Sequence, residues 1–181
     1  MTGMRILGVC GNTQRPSRTR TLVETVVTSL ATRHGYDADI VDLVEIGRAL
    51  AAPAGPPVAR AIAQVVAAIE AADALIVGSP VYKGSYSGLF KHVFDLVSPG
   101  ALAGRPVLIS ATGGGPRHCL MVEHQLRPLF GFFEASTAPT AVYASDADFT
   151  GGVPTNPVLL DRIATAADQF ARLMTPCARA A

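Results

Sequence analysis

The strongest constraint on the fold is the alternation of strand-type and helix-type segments along the chain. Short apolar runs predict strands, and segments with apolar side chains at helical spacing predict the helices between them. Alternating units of this kind build a parallel sheet with helices on both faces. Strands are predicted at 4–9, 38–43, 73–78, 106–111 and 140–143, and helices at 19–34, 58–69, 89–97, 120–133 and 158–173.

Five strand–helix units predict the α/β class in its flavodoxin-like form, a doubly wound five-stranded parallel sheet with strand order 2-1-3-4-5. We expect one domain over residues 1–174, a mobile tail at 175–181, and loops at 44–57 and 145–156, which contain proline and glycine. Ligands of such a sheet bind beyond the carboxyl ends of the strands, at the switch point between strands 1 and 3. The loops expected at that edge are 11–19, 79–88 and 112–117.

Composition excludes several classes of function. A net charge of +1, from 15 basic and 14 acidic residues, gives no general field for nucleic acid, and no apolar run reaches the roughly 20 residues of a membrane helix. Because residues 1–5 lead directly into a strand, we expect no secretory signal and a cytoplasmic protein. The cysteines lack metal-ligand spacing, and we expect Cys10 and Cys119 to be small core residues and Cys177 to lie in the tail.

The first of the three loops has the side chains of an anion site. N–H groups at the first turn of a helix attract anions, and hydroxyls and guanidiniums complete a site for a phosphate dianion. The loop lacks the glycines of GxGxxG and the lysine of a P-loop. The alternative interpretation is a capped helix start beside a solvated basic loop. The predicted phosphate ligands are Thr13, Arg15, Ser17, Arg18 and Thr19.

The second and third loops suit a planar ring. Val81 and Tyr82 offer flat apolar contact, N–H groups after Pro80 offer a polar edge, and glycines from Gly113 onward permit close backbone approach, although tight turns would explain them equally well. No side chain is placed for covalent or acid–base catalysis, so the ligand itself would do the chemistry. FMN fits that description. The predicted contacts are Pro80, Val81, Tyr82, Lys83, Gly84, Ser85, Thr112, Gly113 and Gly114.

The fourth predicted helix, 120–133, is apolar around nearly its whole circumference and contains Pro128. An interior proline kinks or locally widens a helix, and a helix that is apolar on all sides is buried on all sides. On an outer layer of the sheet, a partner subunit has to cover it, so we expect a homo-oligomer through this region. The alternative is a helix that ends at Pro128, with a new turn after it.

With these residues in view, the chain resembles the NAD(P)H-dependent FMN reductases, most closely the branch that supplies reduced flavin to alkanesulfonate and methanesulfonate monooxygenases. Residues 15–19 resemble that family's phosphate loop, and 79–91 resemble its isoalloxazine loop and the following helix. Residues 111–130 are similar to its third loop and interface helix, and 143–149 resemble the methanesulfonate branch.

The resemblance implies hydride transfer from NADH or NADPH to FMN and release of reduced FMN to a separate FMN-dependent monooxygenase. It also implies a homodimer or homotetramer. Some members carry a π-type insertion, linked to flavin release, at the position that His124 matches. One departure lies at Gln14, where many relatives have arginine, so Arg15 or Arg18 has to supply the charge.

Two other functions remain open from the residues. One is a flavoprotein that retains its FMN and reduces quinones, azo dyes or metal ions. The other is an electron carrier of the flavodoxin kind. The nearly neutral charge and the lack of tryptophan disfavour the carrier, because such proteins usually present a charged docking face.

Overall fold

The computed structural model describes residues 4–51 and 56–175, and a parallel sheet lies at its centre. The strands of this sheet are β1 (Ile6–Cys10), β2 (Asp39–Asp42), β3 (Ala74–Pro80), β4 (Pro106–Gly113), β5 (Ser136–Thr137) and β6 (Val142–Ser145). The order is β2-β1-β3-β4, and β5 and β6 both pair with β4, at its start and its end. All of these pairings are parallel. The predicted α/β class and 2-1-3-4-5 order are confirmed.

Helices cover both faces of the sheet. The α-helices are α1 (Arg18–His34), α2 (Val44–Ala51), α3 (Pro56–Ala71), α4 (Gly88–Asp95), α5 (Arg127–Phe132) and α6 (Pro157–Met174). Helices α1 and α6 pack on one face, and α2 to α5 lie on the other. Among the described residues, no helix has both the length and the apolar character required to cross a membrane.

The side chains of the strands point alternately into two apolar cores, one on each face of the sheet. In β1, Ile6 and Cys10 pack with α1 and α6, whereas Leu7 and Val9 pack with the helices of the opposite face. Successive side chains of a strand point to opposite faces, so a sheet covered on both sides needs continuous apolar runs. Cys10 is fully buried, as predicted, and burial raises the pKa of its thiol to about 12.

The prediction of a loop over residues 44–57 is wrong for its first half, because Val44–Ala51 forms α2. Leu43 and Ile46 are buried in the core, and the Asp42 carboxylate accepts a hydrogen bond from the Val44 N–H. Tertiary packing therefore extends helical structure up to the proline-rich stretch. Residues 52–55 lie outside the described part of the chain, as do 176–181, which include Cys177 and all but Thr175 of the predicted tail.

The predicted loop 145–156 also contains regular structure. A 3₁₀ turn at Asp146–Asp148 leads into an antiparallel hairpin of β7 (Phe149–Thr150) and β8 (Val153–Pro154). Gly151 and Gly152 form its tip with positive φ angles of 58° and 84°, which glycine adopts without strain. We call residues 145–156 the hairpin loop.

The predicted helix at 120–133 is irregular. A 3₁₀ turn at Pro116–His118 precedes a π segment at Val122–Leu126, which continues directly into α5. The π segment contains His124, and the chain stays helical through Pro128, so the alternative of a helix that ends at this proline is wrong. Cys119 follows the 3₁₀ turn and is exposed, which corrects the prediction that it is a core residue.

Candidate functional site

The three predicted loops meet at the carboxyl edge of the sheet, where they border a cleft of ≈ 680 Å³. The cleft lies beside the exits of β1, β3 and β4, at the switch point of the strand order. The predicted site residues that line it are Thr13, Ser17, Arg18, Thr19, Pro80, Val81, Tyr82, Thr112, Gly113 and Gly114.

The start of α1 forms one end of this cleft. Ser17 is the N-cap residue, with φ −139° and ψ 119°, and its hydroxyl accepts a hydrogen bond from the Arg20 N–H at 3.3 Å. The first N–H groups of a helix have no intrahelical partners, and the helix dipole makes this end positive. With the Arg18 guanidinium beside it, the end of the cleft at α1 is the part best suited to an anion.

Arg15, the other cation predicted to bind phosphate, does not line the cleft. Its Nε and Nη2 donate to both carboxylate oxygens of Asp42 at 2.7 Å, and Arg20 donates to the same carboxylate at 2.9 Å. Burial raises the pKa of Asp42, but the hydrogen bonds from the two arginines hold it below its ordinary value. In this conformation, Arg15 fastens the first loop to the end of β2, and Arg18 is the cation that faces the cleft.

The first and third loops are joined inside the protein. The hydroxyls of Thr19 and Thr112 lie 2.6 Å apart and form a hydrogen bond, and both residues are buried. The Thr112 carbonyl also accepts a hydrogen bond from the Val81 N–H at 2.8 Å, which brings in the second loop. These bonds hold the cleft walls in place before any ligand arrives.

The second loop combines an anchored end with a tight turn. Tyr82 and Ser85 exchange backbone hydrogen bonds of 2.8 and 3.1 Å around Lys83 and Gly84, whose φ angles are 54° and 84°. Two central residues with positive φ are typical of a type I′ turn. The turn lies beyond the cleft, so the predicted residues Lys83, Gly84 and Ser85 do not line it, whereas Tyr82 at its base does.

Hydrogen bonds of Ser79 and Ser87 join this second loop to the first. The Ser79 hydroxyl accepts a hydrogen bond from the Ser87 N–H at 3.0 Å, and the Ser87 hydroxyl donates to the Gly11 carbonyl at 2.8 Å. Ser87 also caps the start of α4, accepting from the Phe90 N–H. All three loops are therefore interlinked through buried groups.

The third loop requires glycine where it passes Tyr143. A side chain at Gly113 would collide with the Tyr143 hydroxyl, which donates a 2.6 Å hydrogen bond to the Gly115 carbonyl. Burial raises the pKa of Tyr143, so its phenol stays protonated and keeps donating at neutral pH. This contact holds the glycine backbone against β6 and leaves its other side open to the cleft.

The structure adds residues to the cleft that were not predicted as site residues from the sequence. The hairpin loop also borders the cleft, and its only signal in the sequence was its place after the last strand, at the same sheet edge. The Arg18 guanidinium pairs with Asp146 at 2.9 Å and lies 5.9 Å from the centre of the Phe149 ring. The additional lining residues are Asn12, Gln14, Pro16, Thr21, Asp146, Gly151 and Gly152.

The chemistry of the cleft fits FMN. One end offers a helix N-terminus and Arg18 for a phosphate, and the other offers Val81, Tyr82 and the glycine backbone for a planar ring. Asn12 is 3% exposed, and its Oδ1 has no hydrogen-bond partner among the described residues, so the site holds an unused acceptor. Within 4–51 and 56–175, no group of three or more His, Cys, Asp or Glu residues could hold a metal ion.

The fold and the cleft together define a flavodoxin-like α/β protein with a ligand site at its switch point. The chain belongs to the NADPH-dependent FMN reductase family, whose sequence model matches residues 4–150. It is 45% identical over 174 residues to FMN reductase (NADPH) of Pseudomonas aeruginosa, covering 93% of this chain and 91% of the relative. It is 44% identical over 171 residues to NADH-dependent FMN reductase SfnF of Pseudomonas fluorescens, covering 94% and 91%.

Solved structures agree with this assignment. NADH:FMN oxidoreductase EmoB in its apo form matches with a TM-score of 0.80 and 26% identity over 96% of this chain and 91% of that chain. An oxidoreductase from Corynebacterium diphtheriae matches with a TM-score of 0.75 and 34% identity over 94% and 97%. The protein is therefore an NAD(P)H:FMN oxidoreductase.

Proposed function

We propose that this reductase passes hydride from NADH or NADPH to FMN and releases the reduced FMN to a separate sulfonate monooxygenase. The observation that carries the proposal is the π segment at Val122–Leu126. His124 lies inside it, at the place where flavin-releasing reductases of the resembled branch carry a π-type insertion. The relative named SfnF, NADH-dependent FMN reductase of Pseudomonas fluorescens, supports the same branch.

In this proposal the chain contributes binding and orientation, and no side chain acts as a catalytic acid or base. The bound flavin supplies the hydride-accepting ring. Ser17, Arg18 and the first N–H groups of α1 hold the phosphate. Val81 and Tyr82 support the ring, and the interlinked loops keep these groups in place, so that little order is lost when the ligand binds.

The assembly proposed is a homodimer or homotetramer in the cytoplasm. Residues Leu120, His124, Pro128 and Phe132 are all exposed and lie four apart, so they form one stripe along the irregular helix. Leu120 is 60% exposed and Phe132 is 67% exposed. We call these four residues the helix stripe. An exposed stripe with two large apolar side chains, Leu120 and Phe132, suits a second copy of the chain.

The experiment that tests the proposed function uses flavin-stripped protein. NADH oxidation is measured as free FMN is added, the series is repeated with NADPH, and the flavin that passes an ultrafiltration membrane is quantified. Saturable, FMN-dependent oxidation with flavin that washes away is expected. A protein that stays yellow after ultrafiltration, and whose NADH oxidation does not depend on added FMN but is faster with quinone, would instead favour the retained-flavin reductase.

The phosphate end of the site is tested with Ser17→Ala. Loss of a hydrogen bond to a charged phosphate costs about 1.5–3 kcal/mol, so we expect a tenfold to hundredfold weaker FMN affinity. Riboflavin, which lacks the phosphate, should bind as before. Ser29→Ala, a matched change further along α1, should alter neither affinity. Unchanged FMN binding in Ser17→Ala would remove Ser17 from the site.

A further inference from the structure

The phosphate end of the cleft contains a carboxylate as well as a cation. Asp146 lines the cleft beside Arg18, and the Asp146 Oδ1 accepts a 2.9 Å hydrogen bond from the Arg18 Nη1. Both side chains are about half exposed, at 51% and 54%. Solvent and ligand can therefore reach the pair, which is not a buried structural salt bridge.

The hairpin loop is built to hold Asp146 in this position. The Asp148 carboxylate accepts hydrogen bonds from the Ser145 N–H and hydroxyl and from the Asn156 amide, at 2.6–2.8 Å. Burial raises the pKa of Asp148, but these bonds hold it below its ordinary value. Asp148 thus closes the 3₁₀ turn internally, whereas Asp146, two residues earlier, reaches across to α1.

Arg18 has a second support besides its carboxylate partner. Its guanidinium lies 5.9 Å from the centre of the Phe149 ring, and Phe149 packs against the core between the sheet and helices α1 and α6. A guanidinium near an aromatic ring is attracted to it and keeps its N–H groups available at the edge. Removal of the Asp146 charge should therefore leave Arg18 beside the cleft.

From this arrangement we propose that Asp146 competes with the flavin phosphate for Arg18 and thereby lowers the affinity of the site for FMN. The inference rests on the proposed function, since a reductase that hands over its flavin needs a bound state that dissociates. A phosphate dianion close to Asp146 is repelled by it, and the Arg18 charge that attracts the phosphate is already partly neutralised by the carboxylate at 2.9 Å. Asp146 is a specificity-determining residue in this scheme, because the competition acts only on ligands that carry the phosphate.

The test compares dissociation constants for FMN and riboflavin, measured by quenching of flavin fluorescence in the stripped protein. Asp146→Asn keeps the side-chain shape and removes the charge, so we expect FMN to bind about tenfold more tightly at low salt. Riboflavin binding should not change, and the gain for FMN should shrink as KCl is added. Asp146→Ala should give the same phosphate-specific gain. Asp161→Asn, an equal charge change on the exposed side of α6, should have no effect.

Two results would overturn the inference. One is an FMN affinity that is unchanged or weaker in Asp146→Asn. The other is a gain that is as large for riboflavin as for FMN, which would mean that the hairpin loop had moved. The release proposal is judged separately, by whether the wild-type protein loses its flavin on ultrafiltration. A phosphate-specific gain in a protein that retains FMN would keep the Asp146 assignment and reject the release of reduced flavin.

Discussion

Two helical regions on opposite faces of the sheet are built differently, and we call α1 with α6 the regular layer and residues 116–132 the irregular layer. On one face, α1 and α6 are long regular helices that begin at side-chain caps, Ser17 and Asn156. On the other face, residues 116–132 pass from a 3₁₀ turn through a π segment into a short α-helix, and none of these pieces begins with a side-chain cap.

The two ends of α1 follow local rules. The N-cap hydroxyl of Ser17 and the left-handed Gly35 close α1 at its two ends. At its last turn, Arg33 donates twice to Asp168 of α6, and His34 lies 2.7 Å from the same carboxylate. This layer places the N-terminus of α1 at the cleft, where a fixed direction of N–H groups is needed.

The irregular layer depends instead on the side chain of Arg127, whose hydrogen bonds reach the preceding turn and the chain 10–12 residues further on. Arg127 binds both carboxylate oxygens of Glu123 and donates to the Thr137 hydroxyl at 2.7 Å and to the carbonyls of Ala138 and Pro139 at 3.0 and 3.1 Å. These bonds hold the π segment to the loop beside β5. A helix held by tertiary contacts can thus keep π geometry, which is rare, and present the helix stripe outward.

The largest effect should come from the helix stripe. Replacement of Leu120 and Phe132 together by serine removes two side chains worth about 1.5–3 kcal/mol each when buried, so association should weaken roughly a hundredfold or more. Sedimentation velocity over a concentration series should show a shift toward monomer. Val158→Ser, at a 75% exposed apolar residue of the regular layer, should leave association unchanged. Identical sedimentation of the double variant and wild type would show that the stripe is not the interface.

The second prediction compares one arginine from each layer. Arg127→Ala should lower the free energy of unfolding by about 2 kcal/mol, because it breaks the Glu123 pair and removes the donor to the partly buried Thr137 hydroxyl and Ala138 carbonyl. Arg33→Ala should cost less, because its pair with Asp168 is exposed, and high salt should remove most of that cost. Urea denaturation at low and high salt measures both. Equal losses would mean that the two layers are held in the same way.

The smallest effect concerns acid stability of the regular layer. Hydrogen bonds from Arg33 and His34 hold the pKa of Asp168 well below its ordinary value of 3.8. As pH falls below about 4, the unfolded chain takes up this proton first, so stability present at neutral pH is progressively lost. Asp168→Asn should be less stable than wild type at pH 7, and its stability should fall less between pH 5 and pH 3. Parallel pH profiles for the two proteins would contradict this origin of the acid sensitivity.

Particular residues show how far the sequence could predict the site. Ser17, Arg18, Val81, Tyr82 and the Gly113–Gly114 backbone were found because strand exits with hydroxyls, cations and glycines are local patterns that parallel topology brings to one edge. The role of each as a flavin contact stays a prediction. The hairpin loop was missed as a cleft wall because a polar loop with glycine and proline does not indicate which way it folds back.

The sequence by itself determined the alternating strands and helices and the sheet edge at which the cleft lies, since these follow from apolar periodicity and from parallel βα units. The strand order 2-1-3-4-5 was predicted from the number of units, and the structure confirms it. Only the tertiary structure decided between two nearby arginines, turning Arg15 to Asp42 and Arg18 to Asp146. Pairings of this kind join residues 27 and 128 positions apart. Neither could be read from local pattern, because their energy depends on distances that exist only after the chain has folded.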